Sequence, residues 1–169
     1  MRYGEEDFDR GYIHWGFTDR DRQRKEAQSV LDIVDVPTQL SILDFGCGIG
    51  THAIHWAKQG HRVVGIDIST TFIEKARETA TLERVDASFI VGSEEDLYRN
   101  RKFDVVTCID FPYSLDLLRT LGDLLNPHGW LFFDVRNPKN PDAIAKSSDS
   151  QSWEEKDGKF YLQSNKKDL

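Results

Sequence analysis

Cysteine is nearly absent: the 169-residue chain has two, Cys47 and Cys108. Two thiols cannot staple a disulfide scaffold, and neither stands at the Cys or His spacing of a zinc site, so a reducing cytoplasm is the expected location. No apolar run approaches membrane-spanning length, and the opening Met1-Arg2-Tyr3-Gly4-Glu5-Glu6-Asp7 has no signal-peptide core. Positive charge is in deficit. The formal net charge is −7 with Lys and Arg scattered, which removes the electrostatic footprint of a duplex-binding protein. Internal repeats are also missing. What remains is the composition of a globular protein, with 38% apolar residues, 11% aromatics and four tryptophans. The length suits one sizeable core and is too short for two ordinary domains.

Against these absences one stretch is dense in information. Ser41 to Asp67 runs from an apolar strand (Ile42, Leu43) into a glycine-rich turn at Gly46, Gly48 and Gly50, then a helix over Thr51–Gln59. A second apolar strand (Val63, Val64, Ile66) ends on Asp67. This is a βαβ unit whose parallel strand tips lie side by side, so Gly48 and Asp67 can face one nucleoside although a helix separates them in sequence. The carboxylate at the second tip suits a ribose diol.

The turn chooses between cofactors. A dinucleotide fingerprint is G-x-G-x-x-G, with pyrophosphate on the helix N-terminus. Counting from Gly46, its last glycine would fall on Thr51, and the spacing here is G-x-G-x-G instead. Asp44 at the mouth would repel a pyrophosphate and suits a ligand carrying an ammonium. An NAD-dependent oxidoreductase is therefore disfavoured. The segment Leu43-Asp44-Phe45-Gly46-Cys47-Gly48-Ile49-Gly50 resembles the first motif, (D/E)-x-G-x-G-x-G, of the class I S-adenosylmethionine-dependent methyltransferases. The resemblance covers roughly residues 25 to 137.

The rest of the chain alternates strand and helix, as a parallel sheet with helical crossovers requires. Periodicity predicts a helix over Arg24–Val34 with Ala27, Val30, Leu31 and Val34 on one face, closed by Pro37. A helix capped within Ser69-Thr70-Thr71 carries Phe72, Ile73, Ala76 and Ala80 on its core face. Further strands are expected at Ala87–Val91, Lys102–Asp110 and Trp130–Val135. A helix over Leu115–Leu125 is stopped by Asn126-Pro127-His128-Gly129. Beyond Arg136 the chemistry is that of turns and loops, with one edge strand expected at Lys159–Gln163. The expected fold is a doubly wound, mostly parallel α/β sheet with helices on both faces, lacking the last of the seven strands usual in the resembled family. The expected division is an N-terminal arm or lid (1–24), a cofactor-binding core (25–137) and a polar tail (138–169). An unpaired edge strand points to a truncated chain or a short form that pairs with another chain.

The resemblance implies S-adenosylmethionine as cofactor and assigns roles position by position. Asp44 serves the methionine amino group. Gly46, Cys47 and Gly48 pass beneath the cofactor, Asp67 accepts the ribose hydroxyls, and Ile68 lies on an adenine face. After the third strand the family often has Gly-Asp-Ala, and this chain has Gly92-Ser93-Glu94. Ser93 thus takes the acid's place at the adenine amine, with Glu94, Glu95 and Asp96 able to substitute, and the Glu94 amide faces adenine N1. Cys108 ends the fourth strand. Asp110-Phe111-Pro112-Tyr113 resembles the Asn/Asp-Pro-Pro-Tyr/Phe of methyltransferases that act on planar amines, but Phe111 replaces the first proline, which favours aromatics lining a substrate pocket instead. Candidate catalytic groups are Tyr12, His14, Asp110 and Tyr113. His52 and His55, three apart on a helix, read as packing or surface residues, and no metal is expected. The implied function is methyl transfer to a small-molecule O, N or C nucleophile. The alternative is a non-catalytic S-adenosylmethionine-binding module or inactive partner subunit. A homodimer is the macromolecular partner allowed for, with no membrane or nucleic acid.

Overall fold

The computed structural model describes residues 20–35, 37–97, 101–110 and 114–134, and the backbone alone of 151–156 and 159–164. It consists of two compact units, residues 1–134 and 135–169. In the first, α1 (Arg20–Val34) leads into β1 (Ser41–Phe45), α2 (Thr51–Lys58), β2 (Arg62–Asp67) and α3 (Thr70–Glu83). These are followed by β3 (Ala87–Val91), a single 3₁₀ turn (Glu94–Asp96), β4 (Phe103–Cys108), α4 (Leu115–Gly122) and β5 (Leu125–Phe133). The five strands form one parallel sheet in the order β3-β2-β1-β4-β5. Strand order reverses between β1 and β4, and such a switch point opens a crevice beyond the carboxyl ends of the strands.

Because strand side chains alternate, β1, β2 and β4 feed two cores. Ile42, Val63 and Val105 pack with Ala27, Val30 and Val34 of α1, Ala53, Ile54 and Trp56 of α2, and Ile73, Ala76 and Ala80 of α3. Leu43, Phe45, Val64, Ile66, Val106 and Cys108 face the other way, onto Leu121 and Leu124. The indole of Trp56 is fully buried, and its N–H donates to the carbonyl of Ala27 at 2.9 Å, tying α2 to α1. The parallel register sets Asp44 beside Gly65 on one flank and beside Thr107 on the other. A side chain at position 65 would meet the Cys47 sulfur and the Phe89 ring, each 2.8 Å from its first carbon. Only glycine lets the turn close over β2 there.

Several boundaries differ from the sequence expectation. The first helix begins at Arg20 rather than Arg24, and the fourth strand is confined to 103–108. Asn126-Pro127-His128-Gly129 lies inside β5 instead of ending a helix, since α4 already stops at Gly122. The four residues form an irregularity in which the partner of Phe103 is Leu125 and that of Val105 is Trp130, with His128 at φ 66. In the second unit, two strands stand where one was expected. β6 (Gln151–Lys156) and β7 (Lys159–Ser164) pair antiparallel, with Lys156 opposite Lys159. The charged Glu154-Glu155-Lys156 conceals β6 in the sequence, although Asp157-Gly158 is a two-residue hairpin signal.

Candidate functional site

The candidate site is built from the glycine turn and the tip of β2. The N–H groups of Gly46 and Cys47 both donate to the Ile66 carbonyl, at 2.8 and 3.0 Å, which folds the turn onto β2. Gly48 then adopts φ 54 and Gly50 φ 78, left-handed conformations that glycine takes without steric cost. In this arrangement the Gly48 N–H donates to Asp67 Oδ2 at 2.8 Å, and the Ser69 N–H donates to Asp67 Oδ1 at 2.9 Å. A carboxylate offers about four acceptor positions. Asp67, buried at 6% exposure, is thus held in direction by backbone donors on both oxygens, and a carboxylate fixed in this way suits a diol.

Asp44 is set differently. It is 2% exposed, and Oδ1 accepts from the Thr107 hydroxyl at 2.8 Å, as the β1–β4 register dictates. Oδ2 is buried with no hydrogen-bond partner. Burial raises the pKa of this carboxyl. His52, the Thr107 hydroxyl and the Ala53 amide pull it back down, and Asp67 adds to the rise. A buried carboxylate oxygen without a donor is costly to leave unmatched. Its natural complement is a cationic N–H donor from a ligand.

Beside Asp44 lies a charged cluster that only the tertiary structure assembles. From α1, the Arg22 guanidinium reaches Asp110 Oδ2 at 2.6 Å and Glu26 Oε1 at 3.0 Å. Glu26 Oε2 is 3.4 Å from His52 Nε2. Asp110 follows β4 at φ 55, a conformation uncommon outside glycine, and its N–H donates to Asp134 Oδ1 at 2.7 Å. Local strain of this kind persists where surrounding contacts over-determine it.

The remaining sequence-derived candidates divide clearly. Ile68 is 37% exposed next to Asp67, an apolar surface beside that acid. Ser93 caps the 3₁₀ turn: its hydroxyl accepts from the Glu95 N–H at 3.3 Å, and its N–H donates to Asp96 Oδ2 at 2.9 Å. Asp96 therefore folds back onto Ser93, and Glu94 is exposed at the start of that turn. The thiols of Cys47 and Cys108 are both free and buried. The Cys47 thiol packs in the core on the α1–α3 side, and its sulfur lies 3.7 Å from the Gly48 carbonyl. The fully buried Cys108 sits in the opposite core, where burial, with Asp134 and Asp44 nearby, pushes its pKa up to about 12. Alternation along β4 carries its side chain to the face away from Asp44. Tyr12, His14 and Tyr113 lie outside the described residues.

His55 interacts with Gln28 of α1 and with Gln59, as a packing residue would. His52 also packs, stacked on Trp56, but does so beside the charged cluster. Sequence reasoning also missed Thr107, Arg22 and Glu26. Thr107 was discoverable in principle, because it shares a side-chain parity with Asp44 once β1 and β4 are aligned.

Comparison with known proteins agrees with this geometry. Residues 42–129 match the family model described as a methyltransferase domain, more than half of the chain. The ubiquinone biosynthesis O-methyltransferase of Actinobacillus pleuropneumoniae serotype 5b (strain L20) is 34% identical over 106 residues, covering 57% of this chain and 45% of that protein. The chain thus spans about half the length of the curated relatives it matches. Among solved structures, the PH0226 protein from Pyrococcus horikoshii OT3 superposes with a TM-score of 0.60 at 28% identity, over 78% of this chain and 66% of that one. A methyltransferase from Thiobacillus denitrificans in complex with S-adenosyl-L-homocysteine shares the fold, with a TM-score of 0.67 at 22% identity over 86% of this chain and 62% of that one. By its methyltransferase domain, the chain belongs to the class I S-adenosylmethionine-dependent methyltransferase family.

Proposed function

We propose that this protein binds S-adenosylmethionine in the crevice between the glycine turn and β2 and directs its methyl group to a small-molecule acceptor. One observation carries the reading. Two carboxylates stand at adjacent strand tips in different states, Asp67 locked by the Gly48 and Ser69 amides and Asp44 with one oxygen lacking a donor. A ribose diol suits the first, and an ammonium suits the second.

In this reading Asp67 holds the sugar, Asp44 the amino group, and Ile68 one face of the adenine, with the Glu94 amide and the Ser93–Asp96 pair at its edge. Cys47 supports the turn from within. When bound, the cofactor supplies an activated methyl on a sulfonium, so positioning and exclusion of water are what the protein must add. Asp110, held at the β4 tip by Arg22 and by Asp134, faces the acceptor side, and Tyr12, His14 and Tyr113 complete the set of candidates for contacting it. Relatives named for O-methylation in ubiquinone biosynthesis make a hydroxyl the first acceptor class to test, ahead of N or C nucleophiles. No helix among the described residues is long and apolar enough to cross a membrane, and both thiols are free and buried, which supports placement in a reducing compartment.

Titration calorimetry with S-adenosylhomocysteine, followed by a methyl-transfer screen over small hydroxylated acceptors, tests the proposal. Binding with turnover supports it. Binding without turnover on any acceptor would favour the non-catalytic module, and no binding would remove the cofactor assignment.

A further inference from the structure

His52 has no place in the roles above, yet it is among the most enclosed polar groups described. It is 7% exposed and stacks on Trp56 with ring centroids 5.8 Å apart. Its Nε2 has no hydrogen-bond partner, and Glu26 Oε2 stands 3.4 Å away. The groups facing it come from every neighbouring element: Arg22 and Glu26 from α1, Asp44 from β1, His55 from its own helix, and Asp110 beyond β4. Burial is the largest influence and lowers the pKa of the ring. Asp44 and Asp110 partly oppose this, while Arg22 and His55 reinforce it.

Resting on the cofactor assignment proposed above, we infer that His52 is a positioning residue for the ammonium end of the ligand, leaving the charge of Asp44 available while neutral and withdrawing it when protonated. The physical chain is short. Asp44 can neutralise one neighbouring cation well. An imidazolium at position 52 and a ligand ammonium at Oδ2 would compete for that charge inside a poorly screened pocket. Ligand binding therefore favours the neutral ring. By linkage, binding then releases a proton, and affinity falls as pH drops through the titration of His52, by up to about tenfold per pH unit. Glu26 acts in the opposite sense, since its carboxylate favours the imidazolium.

The test is S-adenosylhomocysteine binding by calorimetry on the full chain from pH 5.5 to 8, in buffers of differing ionisation enthalpy, for wild type, His52→Gln and Glu26→Gln. The expected wild-type result is weakening at low pH with proton release on binding. His52→Gln should make the profile shallower and reduce the release, the remaining slope being that of Asp44, and Glu26→Gln should move the His52 share of the weakening to lower pH. A nuclear magnetic resonance titration of the His52 ring, with and without ligand, should show its midpoint lowered by binding, and this measurement stands even if His52→Gln folds poorly. A ring that merely packs would change affinity by one factor at every pH. Parallel wild-type and His52→Gln profiles, or a ring midpoint indifferent to ligand, would overturn this inference and leave the cofactor assignment standing. Absence of binding at every pH would overturn both.

Discussion

Replacing Asp67 by alanine removes one of the acceptors that join the glycine turn to β2. Its two oxygens take the Gly48 and Ser69 N–H groups at 2.8 and 2.9 Å in a site of 6% exposure. Leaving a buried donor unmatched costs about 1–3 kcal/mol, and water entering the vacated space recovers a share, so a loss of about 2–3 kcal/mol in stability is expected. At roughly 2–4 °C per kcal/mol for a chain of this size, the Tm should fall by roughly 4–12 °C. The ribose would lose a charged acceptor worth about 1.5–3 kcal/mol, which weakens S-adenosylhomocysteine binding by roughly 10- to 150-fold. Asp67→Asn separates the two effects. It keeps the volume and one acceptor oxygen, so stability should fall less, while affinity should fall nearly as far because an amide has a single acceptor oxygen and no charge. Calorimetric binding, with circular dichroism to establish folding and a melting curve for stability, reads both quantities. An affinity for S-adenosylhomocysteine within twofold of wild type, in a folded Asp67→Ala protein, would refute the reasoning.

Three further outcomes follow from the same geometry. Burial raises the Asp44 pKa from 3.8, so its folded-state contribution is fully favourable only below that value and is lost as pH rises through the higher folded pKa. At neutral pH Asp44→Asn, which can still accept from Thr107, should therefore raise the Tm of the ligand-free protein while weakening S-adenosylhomocysteine binding about tenfold or more; a lower Tm with unchanged affinity would contradict this. Gly50→Ala would place a carbon 2.7 Å from the Phe89 ring at φ 78, and left-handed strain with overpacking should cost roughly 2–4 kcal/mol in denaturant unfolding. Adding Phe89→Leu should recover only the overlap share, and complete recovery would show that the backbone conformation carries no strain. The Cys108 thiol, with its pKa near 12, and the buried Cys47 thiol should react with a disulfide reagent at pH 8 only after denaturation, and rapid labelling of the native chain would place a sulfur in the crevice.

The turn and the acid after β2 could be located from residues alone because their chemistry is local. A G-x-G-x-G run between an apolar strand and a helix has few backbone solutions, and the length of one helix places Asp67 beside it. The alternating order of strands and helices was legible for the same reason, since periods of two and of about 3.6 are written in neighbouring residues. Pairing across the sheet was not. Asn126-Pro127-His128-Gly129 has the composition of a stop, yet alignment against β4 carries it through as an irregularity within β5. The β6 strand was concealed by its charges until β7 paired with it. His52 and His55 look alike on a helix, and only the docking of α1 buries the first among Glu26, Arg22 and Asp44 while leaving the second at a polar seam. Cys47 and Cys108 flank the crevice in sequence, but alternation and turn closure send their sulfurs into two separate cores. Residue order thus determined which ligand the crevice suits, because that depends on main-chain freedom and one spacing. Which side chains surround the ligand's charged end depends on contacts between distant segments, and packing decided it.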